Sequence, residues 1–152
     1  MAGSGGCTGS SGLVILLDTN VISAVMQNQP DPAVVCWLDD QSAQEVWLPS
    51  VVVFKLRYGV AILPAGQRRR SLQQGLDQLL EQLVQDRIAP PDGLAAHRAA
   101  VLAAERKAKG RSVDLRDTLI AGIALARGAQ LATRNTRHFS DTTIGLINPF
   151  PD

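Results

Sequence analysis

The sequence predicts an α/β fold in which a central, mostly parallel β-sheet is flanked by helices on both faces. Short aliphatic runs alternate along the chain with longer segments whose apolar residues recur at helical spacing. The first of these runs, residues 13–17, is aliphatic without polar alternation, which is typical of a strand buried on both faces. Alternation of strands and helices in this order favours parallel strands, because each helix carries the chain back to the same end of the sheet.

The first half of the domain is predicted from apolar spacing and from residues that start helices. A helix is expected over residues 21–25, and an Asp-Pro pair at 31–32 begins a second one, since proline suits the first helical turn. Residues 45–48 are a short strand candidate. Ser50 is a suitable N-cap for a helix that ends near residue 63, although the three valines after it favour a strand.

The second half shows the same alternation with clearer signals. Leucines at helical spacing predict an amphipathic helix over residues 66–85, and residues 87–89 form a short strand candidate. Helices are expected over residues 92–109 and 114–127, because each begins at an aspartate that can cap it and is followed by a glycine that can end it. The last two strands are expected at residues 130–133 and 144–147.

Composition places the domain among ordinary globular proteins. Residues 1–12 are interpreted as a flexible Gly/Ser-rich tail left by cloning, so the domain is expected to span residues 13–152. The net charge of +1 gives no general basis for nucleic-acid binding, which must therefore depend on a local site. We expect a cytoplasmic protein without membrane association, because no apolar run approaches the roughly 18 residues that span a bilayer. Cys7 and Cys36 predict neither a disulfide framework nor a zinc site, and Cys36 is expected to be buried.

Three polar residues occupy positions where a parallel sheet presents ligand-binding groups. Asp18 follows the first strand, Asp117 lies near the start of a helix, and Asn135 follows the strand at residues 130–133. Clustered carboxylates bind hard divalent cations, which can activate water for attack on a phosphodiester. Each position also has a structural interpretation, because aspartates at strand ends often cap turns and those at helix starts interact favourably with the helix dipole. Spacing alone leaves both interpretations open.

Five short motifs in order resemble those of PIN-domain toxins of the VapC and FitB type. The first is LLDTNVIS at residues 16–23, followed by LRYG at 56–59, DTLIA at 117–121, ATRN at 132–135 and INPF at 147–150. Together they extend the resemblance over residues 13–150, which is nearly the whole domain. The resemblance implies a PIN-like fold and a magnesium- or manganese-dependent endoribonuclease that acts as the toxin of a type II toxin–antitoxin system.

The resemblance also implies partners and residue roles. The partners would be an RNA substrate, a VapB-like antitoxin that carries a DNA-binding module, and a second copy of the chain in a homodimer. Asp18 and Asp117 would bind Mg²⁺ or Mn²⁺, and Asn135 would hold a metal-bound water. The residues expected to support these ligands are Thr133, Asp114 and Asn20. The residues expected to contact RNA or the antitoxin are Arg57, Arg134, Arg68, Arg69 and Arg70.

Lys55 departs from the family pattern. The residue before LRYG is expected to be an acidic metal ligand, a glutamate, whereas a protonated lysine has no lone pair to offer a metal. We expect Lys55 to form ion pairs with Asp18 and Asp117, to compete with the metal and to impair cleavage. The alternative is a catalytically inactive PIN-fold module that still binds antitoxin or RNA. A haloacid-dehalogenase-like phosphoryl transferase is disfavoured, because Asn20 stands where that class needs an aspartate.

Overall fold

The computed structural model describes residues 13–151, so the expected tail at residues 1–12 lies outside the described residues. Within that range, five strands and six α-helices alternate in the predicted order. The strands are β1 (Ile15–Leu17), β2 (Val46–Pro49), β3 (Ile88–Ala89), β4 (Gln130–Ala132) and β5 (Leu146–Ile147). The helices are α1 (Thr19–Met26), α2 (Pro32–Asp39), α3 (Ser50–Ala61), α4 (Gln67–Leu79), α5 (Gly93–Ala108) and α6 (Leu115–Arg127).

The five strands form one sheet in the order β3-β2-β1-β4-β5, and every neighbouring pair is parallel. The predicted fold class is therefore confirmed. Strand β1 lies at the centre, with Leu16 opposite Trp47 of β2 on one side and Leu131 of β4 on the other. Successive strand residues face opposite sides of a sheet, and all three residues of β1 are buried, so both faces at the centre of the sheet are covered.

Helices α5 and α6 approach each other closely at Gly122. A Cβ atom on Gly122 would collide with the carbonyl oxygen of Ala95 and with the side chain of Ala99. This close contact allows α6 to bury a continuous face that includes Ile120, Ile123 and their neighbours. Since Asp117 lies in the first turn of α6, the crossing at Gly122 helps to fix the position of that carboxylate relative to the sheet.

The main differences from the predicted elements lie in α3 and α4. Ser50 is the first residue of α3 rather than its N-cap, and Pro49 precedes it. The valine run after Ser50 is helical, because burial of two of its valines outweighs their preference for strands. Helix α4 ends at Leu79, and a π-helical turn at Leu80–Val84 continues it to Gln85, whose φ of 53° ends the helical path.

Cys36 is exposed, so its expected burial is wrong. Helix α2 buries Val34 as its one fully buried residue, and Cys36 lies on a different side of this short helix. Trp37 and Trp47 are partly buried against the core. Among residues 13–151 no helix is long and apolar enough to cross a bilayer.

Candidate functional site

A cavity of about 510 Å³ opens beyond the carboxyl ends of β1 and β4, and we call it the carboxylate cavity. Asp18, Asp117 and Asn135 all line it, although they lie far apart in the sequence. The other residues expected at the site that line it are Lys55, Asp114, Asn20 and Arg134. The structure therefore brings the expected acidic residues, the amide and the lysine to one place at one sheet edge.

Asp18 is held rigidly at the floor of the carboxylate cavity. It follows β1, caps the N-terminus of α1, and is only 4% exposed. One carboxylate oxygen accepts a 2.7 Å hydrogen bond from the backbone N–H of Thr19, and the other accepts a 2.8 Å bond from the hydroxyl of Thr133. A carboxylate with so little exposure needs such donors, because burial of an unpaired charge is costly.

A small polar network around Thr133 joins β1 and α1 to the segment after β4. The Thr133 hydroxyl accepts hydrogen bonds from the backbone N–H of Asn135 at 3.0 Å and from the Asn20 amide at 3.4 Å. The Asn20 side-chain oxygen in turn accepts from the backbone N–H of Arg134 at 3.1 Å. Thr133 itself is fully buried and acts from behind the cavity rather than within it.

The start of α6 presents two carboxylates to the same space. Asp114 caps the helix by accepting a 3.0 Å hydrogen bond from the backbone N–H of Asp117. That bond is the main cause of the lowered pKa of Asp114, which is held down further by the positive charges of Arg116 and Lys55. The orphan N–H groups and the dipole at the helix start also favour negative charge at this end of α6.

His138 contacts Asp117 and was not among the site residues expected from the sequence. Its Nδ1 lies 3.2 Å from Oδ2 of Asp117, and its ring is 57% exposed at the rim of the carboxylate cavity. It lies on a short 3-10 turn (Thr136–Phe139) that follows Asn135. That position, directly after a strand that ends at the ligand-binding edge, is the signal that could have identified it.

Lys55 enters the carboxylate cavity from α3 without a contact ion pair. Among residues 13–151, no carboxylate lies within 4.0 Å of its ammonium, so the expected contact ion pairs with Asp18 and Asp117 are not formed. Its charge still lowers the pKa of Asp114 through Coulomb attraction across the cavity. Direct pairing would require the long, flexible lysine side chain to lose rotamer entropy and part of its hydration. These costs offset the Coulomb attraction that an ion pair gains in a cavity open to solvent.

The ligand set of the carboxylate cavity suits a weakly held, hydrated cation. In the part of the chain that the structure describes, no three His, Cys, Asp or Glu side chains are grouped so that they could hold a metal ion. Asp18 and Asp117 remain, and two carboxylates with several waters are enough for Mg²⁺. An acidic side chain in place of Lys55 would supply the third carboxylate that a tight site needs.

Arg106 is the second feature that the sequence analysis missed. It is a buried residue of α5 and binds the carboxylate of Asp141 through two parallel hydrogen bonds of 2.9 Å. This pairing holds the pKa of Asp141 low and raises that of Arg106. Ala95, Ala99 and Leu102 are buried at helical spacing before it, so the position of Arg106 on the same face was readable from the sequence.

The five arginines expected to contact RNA or the antitoxin lie in three places. Arg134 lines the carboxylate cavity, and its guanidinium lies 4.8 Å from the centre of the Phe150 ring. Arg57 is exposed on α3 and pairs with Asp77 of α4. The remaining three, which are not part of the cavity lining, lie in the first turn of α4: Arg68, Arg69 and Arg70.

Comparisons with known proteins agree with this fold. A family model described as PIN domain matches residues 15–144. VapC ribonuclease Y4jK of Sinorhizobium fredii is 37% identical over 137 residues, which are 90% of this chain and 98% of that protein. Toxin FitB of Neisseria gonorrhoeae is 36% identical over 139 residues, which are 91% of this chain and all of that protein. The structure of FitAB bound to the IR36 DNA fragment aligns with a TM-score of 0.83 and 34% identity, covering 91% of this chain and 97% of the other.

Proposed function

The chain belongs to the PIN domain family, and we propose that it is the toxin of a type II toxin–antitoxin system, an endoribonuclease weakened by Lys55. The observation that carries this proposal is the convergence of Asp18, Asp117 and Asn135 on one cavity at the carboxyl edge of the sheet. Relatives of nearly the same length are named as a ribonuclease and a toxin, and the family generally uses divalent metals.

We infer that Asp18 and Asp117 would hold Mg²⁺ or Mn²⁺ in the carboxylate cavity. The bound ion would supply Lewis-acid stabilisation of the phosphodiester and a lowered pKa for attacking water. Asp18 is kept in place by the Thr133 hydroxyl, so its carboxylate needs little reorganisation when a cation arrives. Asn135 would hold a water by hydrogen bonding, since its amide lines the cavity and its backbone is tied to Thr133.

RNA would reach the cavity along its exposed rim. Arg134 is exposed beside Asn135 and offers a guanidinium that can bind a phosphate through two hydrogen bonds. The Arg68–Arg70 group lies on α4, outside the cavity lining, and suits contacts with more distant phosphates or with the antitoxin. The net charge of +1 makes these local contacts the main electrostatic attraction for RNA.

Lys55 weakens this site by opposing the metal ion. Its ammonium lies in the same cavity as Asp18 and Asp117, near enough to act on Asp114. At an effective dielectric near 20, two unit charges about 4 Å apart interact by about 4 kcal/mol, and solvent in the cavity reduces this further. Even about 1.4 kcal/mol corresponds to a tenfold loss of metal affinity.

A second function is favoured by the same residue. The chain could act as a non-cleaving PIN-fold module that binds antitoxin or RNA, because the fold and the arginines are present while Lys55 stands where the family resemblance implies an acid. The two functions differ in one measurable property, which is metal-dependent cleavage of RNA by this chain.

We further propose a cognate antitoxin that carries a DNA-binding module and inserts a basic side chain near Asp18 and Asp117. The similar FitAB structure is bound to DNA. An arginine would pair well with the anionic cavity, but Lys55 already places a cation there. We therefore expect weaker antitoxin binding by this chain than by its Lys55→Glu variant, as measured by calorimetry.

We also propose a homodimer, for which α3 offers the best surface. Phe54, Tyr58 and Ile62 are exposed at successive helical turns, and the rings of Phe54 and Tyr58 stack with centroids 6.0 Å apart. Exposed apolar stripes of this kind often mark protein interfaces. Light scattering of the chain and of a Phe54→Ser variant would test this, with the variant expected to be monomeric.

The central experiment compares this chain with its Lys55→Glu and Lys55→Gln variants. Each is titrated with Mn²⁺ by calorimetry and assayed on structured RNA with and without EDTA. We expect the Lys55→Glu variant to bind Mn²⁺ at least tenfold more tightly and to cleave faster, with Lys55→Gln in between. An Asp18→Asn, Lys55→Glu double variant is the control and should not cleave. Failure of the Lys55→Glu variant to cleave any RNA would contradict the ribonuclease function.

A further inference from the structure

The buried Arg106 contacts two chain segments that contribute to the carboxylate cavity, which are the start of α6 and the turn after β4. Its side chain is 6% exposed, although arginine is rarely buried without a specific partner. It lines a second cavity of about 400 Å³ that shares Asp114, Asp117 and His138 with the carboxylate cavity. Arg106 therefore lies directly behind residues that the proposed function requires, yet it does not line the carboxylate cavity itself.

The guanidinium uses its donors in three directions. Nε and Nη2 each donate to one oxygen of Asp141 at 2.9 Å. Nη2 also donates to the backbone carbonyl of His138 at 2.8 Å. Nη1 lies 3.5 Å from the hydroxyl of Thr118, the α6 residue that directly follows Asp117. One side chain thus joins α5 to the start of α6 and to the turn that follows Asn135.

The turn at Thr136–Phe139 depends on contacts such as those from Arg106, because it is too short to be stable through its own hydrogen bonds. It is a 3-10 helix of four residues without a side-chain N-cap, and 3-10 turns have weaker hydrogen-bond geometry than α-helices. Asn135 precedes this turn and His138 lies on it, so a shift of the turn would move both away from Asp117. Misplacement of catalytic groups by about 1 Å can cost a hundredfold in rate.

We propose that the Arg106–Asp141 pair positions the candidate site by fixing the segment that carries Asn135 and His138 against the helix that carries Asp117. Arg106 is a positioning residue in this scheme, because it acts through the His138 carbonyl and Thr118 rather than on RNA. Arginine is required rather than lysine, since only a planar fork can serve the Asp141 carboxylate and two further acceptors together. This role in catalysis rests on the proposed ribonuclease function, whereas its effect on local structure does not.

Hydrogen exchange of backbone amides tests the local effect without any reliance on activity. The amides of His138, Ser140 and Thr142 bond within the turn, and those of Gln130 and Leu131 bond within the sheet. In the Arg106→Lys variant of the full chain we expect at least tenfold faster exchange in the turn and less than a twofold change in the sheet. Arg111→Lys is the matched control, because Arg111 also pairs with Asp141 but is 42% exposed. It should change neither set.

A second variant covers the case in which Arg106→Lys does not fold. The Arg106→Met, Asp141→Leu double variant removes both charges together, so no buried charge is left unpaired. It should fold and show the same tenfold acceleration in the turn, because the His138 carbonyl and Thr118 still lose their donor. Unchanged exchange, or an equal increase in turn and sheet, would overturn the positioning role.

Kinetics in the Lys55→Glu background test the catalytic consequence. There we expect Arg106→Lys to lower kcat by 10- to 100-fold and to change KM by less than threefold, since the binding arginines are untouched. Equal values of kcat with and without the Arg106 substitution would contradict the proposal. If the Lys55→Glu chain with an intact Arg106 cleaves no RNA, the ribonuclease function itself fails, and the exchange experiment alone then decides the positioning role.

Discussion

The hydroxyl of Thr133 donates a 2.8 Å hydrogen bond to the carboxylate of Asp18 and so joins the ends of two neighbouring parallel strands. Thr133 is fully buried and Asp18 is 4% exposed, so water cannot replace this bond easily. The same hydroxyl accepts hydrogen bonds from Asn20 and from the backbone of Asn135. One buried oxygen atom therefore connects most of the polar groups at the floor of the carboxylate cavity.

Replacement of Thr133 by valine keeps the shape of the side chain and removes this oxygen. We expect a loss of about 2 kcal/mol in the free energy of unfolding, because a hydrogen bond to a charged, buried group is lost. Urea denaturation at pH 7 measures this. In the Lys55→Glu background, Mn²⁺ affinity should also fall, because Asp18 is no longer held in one orientation.

Thr133→Ser is the matched control for this prediction, because it keeps the hydroxyl. It should retain most of the stability and all but a small part of the Mn²⁺ affinity. A valine variant as stable as the serine variant would show that the hydrogen bond contributes little.

Gly122→Ala should destabilise the protein even though alanine is the better helix former. A Cβ atom at this position would press on the backbone of α5 at Ala95, and backbone cannot move aside as a flexible side chain can. Overpacking of this kind costs about 1–3 kcal/mol, which exceeds the roughly 1 kcal/mol that alanine contributes over glycine in a helix. Thermal unfolding followed by circular dichroism measures the difference.

Gly75→Ala is the comparison variant and should raise stability, because open space surrounds this glycine. Gly75 lies within α4, and no atom lies within 4 Å of a Cβ built there. This variant should be stabilised by up to about 1 kcal/mol. If both variants changed stability in the same direction, the close approach of α5 and α6 would be an incorrect explanation.

Asp141→Asn should change the pH dependence of stability. The hydrogen bonds from Arg106 lower the pKa of Asp141 in the folded state. The stabilisation by its charge is therefore fully present above the unfolded pKa of about 3.9 and is lost as pH falls through the lower folded pKa. The variant should be less stable than the parent at pH 7, and the difference should shrink toward pH 3. Urea midpoints at pH 7, 5 and 3 test this, and a difference that grew on acidification would contradict it.

The sequence was sufficient to predict those residues of the candidate site whose positions follow from the ends of parallel strands. Asp18 and Asn135 follow strands of one parallel sheet, and parallel strands end at the same edge, so their convergence required no contact information. Asp117 was identified by its place in a first helical turn and by the resemblance. Arg106 was missed because its partners Thr118, His138 and Asp141 lie 12, 32 and 35 residues away, and only the packed structure shows that they meet.

Predictions of secondary structure and burial from the local sequence were wrong where packing in the folded protein opposed the local preference. The valine run of α3 has strand propensity but is helical, because its buried face packs on the core. Cys36 has an apolar side chain in an apolar helix but is exposed, because α2 is too short to bury more than one of its sides. The contact ion pairs expected for Lys55 were inferred from charge alone, whereas the open cavity leaves no carboxylate within 4.0 Å of its ammonium among residues 13–151.

Lys55→Glu should destabilise the protein in the absence of metal. The substitution reverses a charge in a cavity that already contains three carboxylates, Asp18, Asp114 and Asp117. Repulsion among them rises and the attraction of Lys55 for Asp114 is lost. We expect the variant to melt about 3 °C below the parent in EDTA, which corresponds to roughly 1 kcal/mol for a domain of this size.

Saturating Mn²⁺ should reverse the order of the melting temperatures of the parent and the Lys55→Glu variant. This reversal distinguishes a metal site from a general charge effect. A ligand that binds the folded state alone stabilises it by about 2.7 kcal/mol at 100 times its Kd, so the Lys55→Glu variant should melt above the parent at saturating Mn²⁺. Lys55→Gln is the neutral control, and its melting temperature in EDTA should lie between those of parent and glutamate variant. Sodium chloride at equal ionic strength controls for screening. A glutamate variant that melts lower than the parent with and without Mn²⁺ would mean that the added carboxylate does not complete a metal site.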